Sequence, residues 1–148
     1  MIPLTPTSND FVSNATTSTK ESVTDVTVPA PASRVIEFAF WGSASVAATT
    51  TGVGFGIDIP ASATMEAVAE VLTGSTGTDQ VRTELLTSDD TFAVPTDMSG
   101  TAFRWRVTGR VVVSTTEGSI QLRVDTDAAA AVTVRKGVCR EYVDCCAA

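Results

Sequence analysis

Few side chains in this sequence are equipped for bond-making chemistry. It contains no histidine, which removes the commonest general base and the commonest metal ligand. Serine and cysteine triads of the usual kind are thereby excluded. The adjacent carboxylates Asp89 and Asp90 are the remaining acid–base candidates, because paired carboxyl groups carry out glycosidic cleavage. They sit in a polar stretch with no flanking aromatic platform, and aspartate is a good turn former, so a solvated turn is expected. Asp125 and Asp127 offer oxygens for calcium, but no acidic loop of defined spacing with a glycine surrounds them. The run Gly52-Val53-Gly54-Phe55-Gly56 has the glycine density of a phosphate loop without the helix and lysine that make one. The three cysteines, Cys139, Cys145 and Cys146, are odd in number and partly adjacent, which is not a disulfide framework. Reduced thiols are expected, with an intermolecular contact at the C-terminus as the other reading. The expectation is no catalytic residue, no metal and no cofactor.

The remaining concentration of functional groups is cationic. Arg104, Arg106 and Arg110 share one face of a long alternating segment, and Arg123 extends that face if the next strand pairs with it. Arginine suits bidentate pairing with carboxylates at interfaces. Two readings stand: a stripe that meets acidic side chains of a partner, or an exposed face with cross-strand partners such as Glu84 or Asp125. Trp41 and Trp105 are read as core or subunit-contact residues. The chain as a whole is acidic, with 10 Lys and Arg against 17 Asp and Glu and a formal net charge of −7. That opposes nucleic acid as a partner, since phosphate binding needs a basic footprint. It also disfavours anionic membranes, and no run approaches the roughly 18 apolar residues of a membrane helix. Met1–Asp10 has neither the basic nor the apolar region of a signal peptide, so synthesis in a cytoplasm without general export is expected.

The elements that must position these residues follow a period of two, the signature of half-buried strands. Val53, Phe55, Ile57 and Ile59 alternate with Gly54, Gly56 and Asp58; Phe103, Trp105, Val107, Val111 and Val113 alternate with Arg104, Arg106, Thr108, Arg110 and Val112. Further strands are expected over Arg34–Ala47, Gln80–Thr87, Ser119–Thr126, Val132–Arg135 and Gly137–Asp144. Thr64–Leu72 fits a helix through Met65, Val68 and Leu72, or a strand through Met65, Ala67, Ala69 and Val71; its short length and flanking glycine favour the strand. Ser88–Gly100 reads as a loop. With 148 residues, one domain is expected. Aromatics supply only 6% of the residues, so the core should be thin, like the space between two sheets. Met1–Ser33 is polar, with scattered apolar residues, and cannot fold alone. It reads as an extended N-terminal arm with a short edge strand at Val23–Val28. The expected architecture is an all-β antiparallel β-sandwich over residues 34–148, ending in a short cysteine-containing tail.

Two stretches carry a family resemblance. One is Ala48-Thr49-Thr50-Thr51-Gly52-Val53-Gly54-Phe55-Gly56-Ile57 followed by Pro60-Ala61. The other joins Val107-Thr108-Gly109-Arg110-Val111-Val112-Val113, Glu117-Gly118-Ser119-Ile120-Gln121-Leu122-Arg123-Val124 and Val132-Thr133-Val134-Arg135-Lys136-Gly137. Together they resemble a strand-and-turn pattern of small structural proteins of tailed bacteriophages, over roughly Val35–Tyr142. Trp41 and the cysteine-rich tail lie outside that pattern, and it contains no catalytic residue. The resemblance implies a jelly-roll-like sandwich, a homotrimer, and a capsid decoration or cement protein on the virion exterior, made in the host bacterial cytoplasm. The major capsid protein would be its partner, with no small-molecule substrate; the alternative is a tail-fibre or receptor-binding module. In that setting Ile2, Leu4, Phe11 and Val12 are expected to anchor the arm on the capsid or a sister subunit. Arg104, Arg106, Arg110 and Trp41 are the interface candidates on the sandwich.

Overall fold

The structure is a computed structural model, which describes residues 1–14, 20–47, 53–73, 80–86, 91–93, 103–126 and 130–148. All regular structure among them is β. In chain order the strands are β1 (Ile2–Leu4), β2 (Phe11–Val12), β3 (Glu21–Ala30), β4 (Arg34–Val46), β5 (Val53–Asp58), β6 (Thr64–Thr73), β7 (Gln80–Leu86), β8 (Thr91–Ala93), β9 (Phe103–Val112), β10 (Gly118–Thr126), β11 (Val132–Val134) and β12 (Cys139–Ala147). Every described ladder is antiparallel. The larger sheet runs β1-β12-β4-β9-β6-β7, with β11 paired to both β4 and β2; the smaller runs β3-β10-β5-β8.

The two sheets close on one core because their strands alternate. Phe103, Trp105, Val107 and Val111 of β9 are buried while Arg104, Arg106, Arg110 and Val112 are exposed. Ile36, Phe38 and Phe40 of β4 meet Phe55 and Ile57 of β5 and Ile120, Leu122 and Val124 of β10 in one apolar cluster. Phe55 spans the gap: its ring stacks on Trp105 at 5.1 Å and meets Phe103 edge-on at 6.2 Å. Such ring pairs add to the plain benefit of burial. Gly109 lets β9 approach β6, since a Cβ there would lie 2.5 Å from the Ala67 Cβ.

The ambiguous Thr64–Leu72 segment is a strand. Met65, Ala67, Ala69 and Val71 are buried, and ladders to β9 and β7 take up its backbone groups on both sides. The stretch Ser88–Gly100, expected as a loop, contains β8, which pairs with Gly54, Phe55 and Gly56. Asp89, Asp90 and Asp127 lie outside the described residues.

Met1–Ser33 is not the extended arm that its composition suggests. Its three strands join the sheets of their own chain: β1 on β12, β2 on β11, and β3 as an edge of the smaller sheet. Val23, Val26, Val28 and Ala30 are buried at 1% exposure, so this segment supplies part of the core. The polar residues that mark it as an arm make specific bonds. Thr7 Oγ1 accepts from the Val138 amide at 3.1 Å, Ser13 Oγ from the Val132 amide at 2.9 Å, and Asp10 Oδ1 from the Lys136 amide at 2.7 Å. The Arg140 guanidinium donates to Thr5 O at 2.7 Å and to Thr27 O at 3.3 Å, tying the first segment, β12 and β3 together. Within β3 the register breaks, so that the residues from Val23 to Val26 lie opposite Leu122. Asp25 adopts a left-handed conformation there (φ 65°). A bulge of this kind hinders another strand from adding to the edge.

Candidate functional site

The outer face of the larger sheet carries the candidate site. Strand pairing there sets side chains in rows across β6, β9, β4 and β12. Arg110 stands between Glu66 of β6 and Glu37 of β4. Arg106 stands between Glu70 and Trp41, with Cys139 beyond Trp41. Arg104 stands between Leu72 and Ser43. The three arginines do share one exposed face. Their carboxylate neighbours among the described side chains are Glu37, Glu66 and Glu70; Asp125 is in the other sheet, and Glu84 is in register with Ala69.

Despite these neighbours, Arg104, Arg106, Arg110 and Lys136 make no ion pair among the described residues. The arginines described elsewhere are engaged. Arg34 meets Asp144 at 2.6 Å, Arg123 meets Asp58 at 3.2 Å and Arg135 meets Asp10 at 3.7 Å, while Arg140 bonds backbone carbonyls. The hydrogen bond that Arg34 donates to the Asp144 carboxylate raises the pKa of its guanidinium, against a smaller loss from desolvation. Arg123 therefore does not extend the stripe. It lies on β10 in the smaller sheet, because the chain crosses sheets between β9 and β10.

A groove of about 850 Å³ opens at one end of this face, lined by Trp41, Ser43, Arg104, Arg106, Lys136 and Glu141 among others. Trp41 is half-buried on the outer face, whereas Trp105 is a core residue. Glu70, Lys136, Cys139 and Glu141 also border the groove, and sequence reasoning did not associate them with it. A smaller hollow of about 400 Å³ lies along the same face, beside Met1, Glu37, Glu66 and Arg110.

The four apolar residues expected to anchor an arm divide by burial. Leu4 and Phe11 pack against the chain's own core. Ile2 and Val12 are 53% and 60% exposed. Cys145 and Cys146 are exposed free thiols and Cys139 is half-buried. Among the described residues no group of His, Cys, Asp or Glu could hold a metal ion, and no helix is long and apolar enough to cross a membrane.

These features define the class: an antiparallel β-sandwich whose larger sheet presents a charged outer face. No family model matches the sequence, and no curated protein matches it. Solved structures from infectious bursal disease virus are similar at a low level. The Gx strain structure shares 14% identity at a TM-score of 0.26, over 97% of this chain and 36% of that one. The VP2 subviral particle shares 11% identity at a TM-score of 0.19, over 98% and 37%. The chain thus spans little more than a third of the length of either.

Proposed function

We propose that this chain is a structural protein of a tailed-phage virion, a decoration or cement protein that binds across capsid subunits as a homotrimer and stabilises the head. It works by binding energy, without turnover. The observation that carries this reading is the set Arg104, Arg106 and Arg110 on one sheet face, with Lys136 at its edge, none in an ion pair among the described residues of a chain with a formal net charge of −7. Arginine and tryptophan are the residues most often found at the energetic centres of protein interfaces, and Trp41 stands beside Arg106. The phage-like turn pattern over Val35–Tyr142 supplies the virion setting, with the major capsid protein as the acidic partner. A stable contact should bury more than about 1,000 Å². Ile2 and Val12 remain available to it as exposed apolar residues; Leu4 and Phe11 are already committed to the chain's own core.

The test is co-sedimentation with purified heads that lack their decoration protein. Wild-type chain should pellet with them in hundreds of copies per particle. The double substitution Arg104→Glu and Arg106→Glu should abolish pelleting without unfolding the sandwich, and undiminished pelleting would refute the assignment of this face. A second reading, a tail-fibre or receptor-binding module, draws on the half-buried Trp41 beside Glu70 and Glu141 in the same groove. A handful of copies per particle together with glycan-array binding would favour it.

A further inference from the structure

We infer that the groove across β6, β9, β4 and β12 receives an extended acidic segment of a protein partner, laid across the strands. Its carboxylates would meet Arg104, Arg106 and Lys136, and an apolar side chain would rest on Trp41. This rests on the binding role proposed above and names the partner chemistry at that site.

The dimensions fit such an occupant. Neighbouring strands lie roughly 4.8 Å apart, so a groove spanning four strands is about 14 Å long, the reach of about four extended residues. Ser43 is a small residue on the outer face of this stretch of β4 and leaves room beside Trp41. Arg104 and Arg106 occupy alternate positions on β9, so a segment crossing β9 between them meets a guanidinium from each wall. Lys136 stands further along, in the turn between β11 and β12. Two strand spacings separate it from β9, about 10 Å, or roughly three extended residues. The matching pattern is an acidic residue, two others, then a second acidic residue, with the apolar contact to Trp41 between them.

Charge selects among occupants. Three cations line the groove against two carboxylates, Glu70 and Glu141, in a chain whose formal net charge is −7. A neutral ligand would desolvate those cations without replacing their counter-charge. Nucleic acid would set a continuous phosphate charge against the two glutamates and against the acidic remainder of the molecule. The planar guanidinium fork matches a carboxylate at two points at once.

The probe is a fluorescein-labelled hexapeptide, Ser-Glu-Phe-Ser-Glu-Ser, with its Gln counterpart and an oligoglucuronate of similar length, measured by anisotropy on the full chain. The Glu peptide should bind at least ten-fold more tightly than the Gln peptide and should weaken as salt rises. Arg106→Gln and Arg104→Gln should each weaken it at least ten-fold while leaving the melting temperature unchanged; Trp41→Leu should weaken both peptides. Equal binding of the Glu and Gln peptides, unchanged binding by the arginine variants, or no binding at all overturns the inference. Tighter binding of oligoglucuronate also overturns it and assigns the groove to an acidic glycan. Head co-sedimentation separates the two levels. If the arginine variants pellet normally, the groove assignment fails and the decoration role stands. If the wild-type chain binds the Glu peptide but no heads, the groove stands and the decoration role fails.

Discussion

Gly109→Ala should destabilise the protein through packing alone. Its φ is not positive; among the described glycines Gly137 has that conformation, so alanine fits the backbone at 109. The space does not fit. A Cβ at position 109 would stand 2.5 Å from the Ala67 Cβ, 2.9 Å from the Glu66 carbonyl oxygen and 2.9 Å from Phe38 Cε1. Carbon atoms rest at about 3.5 Å or more, so roughly 1 Å must be opened against Ala67. Neither the Ala67 Cβ nor the Glu66 carbonyl can move without its backbone, and β6 is held between β9 and β7. The Phe38 ring is buried at 1% exposure. Overpacking of this kind costs about 1–3 kcal/mol, and two backbone-fixed clashes place it towards the upper end. The gain from a less flexible unfolded chain, about 0.4–1 kcal/mol, offsets part of that. The net loss is roughly 2 kcal/mol, a fall of roughly 4–8 °C in melting temperature for a chain of this length. Circular dichroism melts and urea midpoints at unchanged m-value measure it. Adding Ala67→Gly removes the shortest contact and should recover part of the loss, with a coupling above about 0.5 kcal/mol in the double-mutant cycle. A Gly109→Ala protein as stable as wild type, or a coupling of zero, would refute the packing argument.

Ser13→Ala leaves the buried Val132 amide without its 2.9 Å acceptor and should cost about 1–3 kcal/mol in urea unfolding; a truly detached arm would show no change. Trp105→Phe should cost about 1–2 kcal/mol, the contribution of the buried ring atoms it removes and the cavity they leave, because the indole Nε1 has no hydrogen-bond partner to lose; a loss above about 4 kcal/mol would reveal a bond made by that nitrogen. In a thiol titration of the native protein, Cys145 and Cys146 should react quickly and Cys139 slowly, matching their exposure, and addition of urea should bring Cys139 to the rate of the others.

Period-two alternation located the long strands because burial on one face is a local property. Throughout β10, and from Phe103 to Val107 of β9, each buried residue is two positions from the next, and the pattern survives whatever lies alongside. The N-terminal segment defeated the same logic for a physical reason. Its composition does say that it cannot fold alone, but its partners are distant: Ser13 bonds a residue 119 positions away and Thr7 one 131 positions away. Local polarity cannot distinguish a serine facing solvent from one that accepts the amide of a strand more than a hundred residues on. Short strands such as β1, β2 and β8 leave too few positions for a period to show. Arg123 was misplaced for a related reason. β9 and β10 follow one another in sequence and look like a hairpin, whereas the chain crosses between sheets and sends Arg123 to Asp58.

The exposed arginine column was legible from parity; its neighbours were not, because they depend on the non-sequential order β6-β9-β4. That order explains how the arginines remain unpaired beside glutamates. A surface ion pair contributes only about 0–1 kcal/mol once side-chain entropy and solvent screening are counted, so little draws Arg106 onto Glu70 while both are in water. The same cations gain more when a partner excludes that water, since the effective dielectric falls and the interaction strengthens. The face is therefore graded along β9. Arg110 is flanked on both sides by Glu66 and Glu37, so an acidic partner arriving there meets repulsion as well as attraction. Arg104 has no acidic neighbour in its row, and Lys136 borders the same groove. The unbalanced positive charge lies at the groove end of the sheet, beside Trp41, where an aromatic surface and unpaired arginines are available to a single partner.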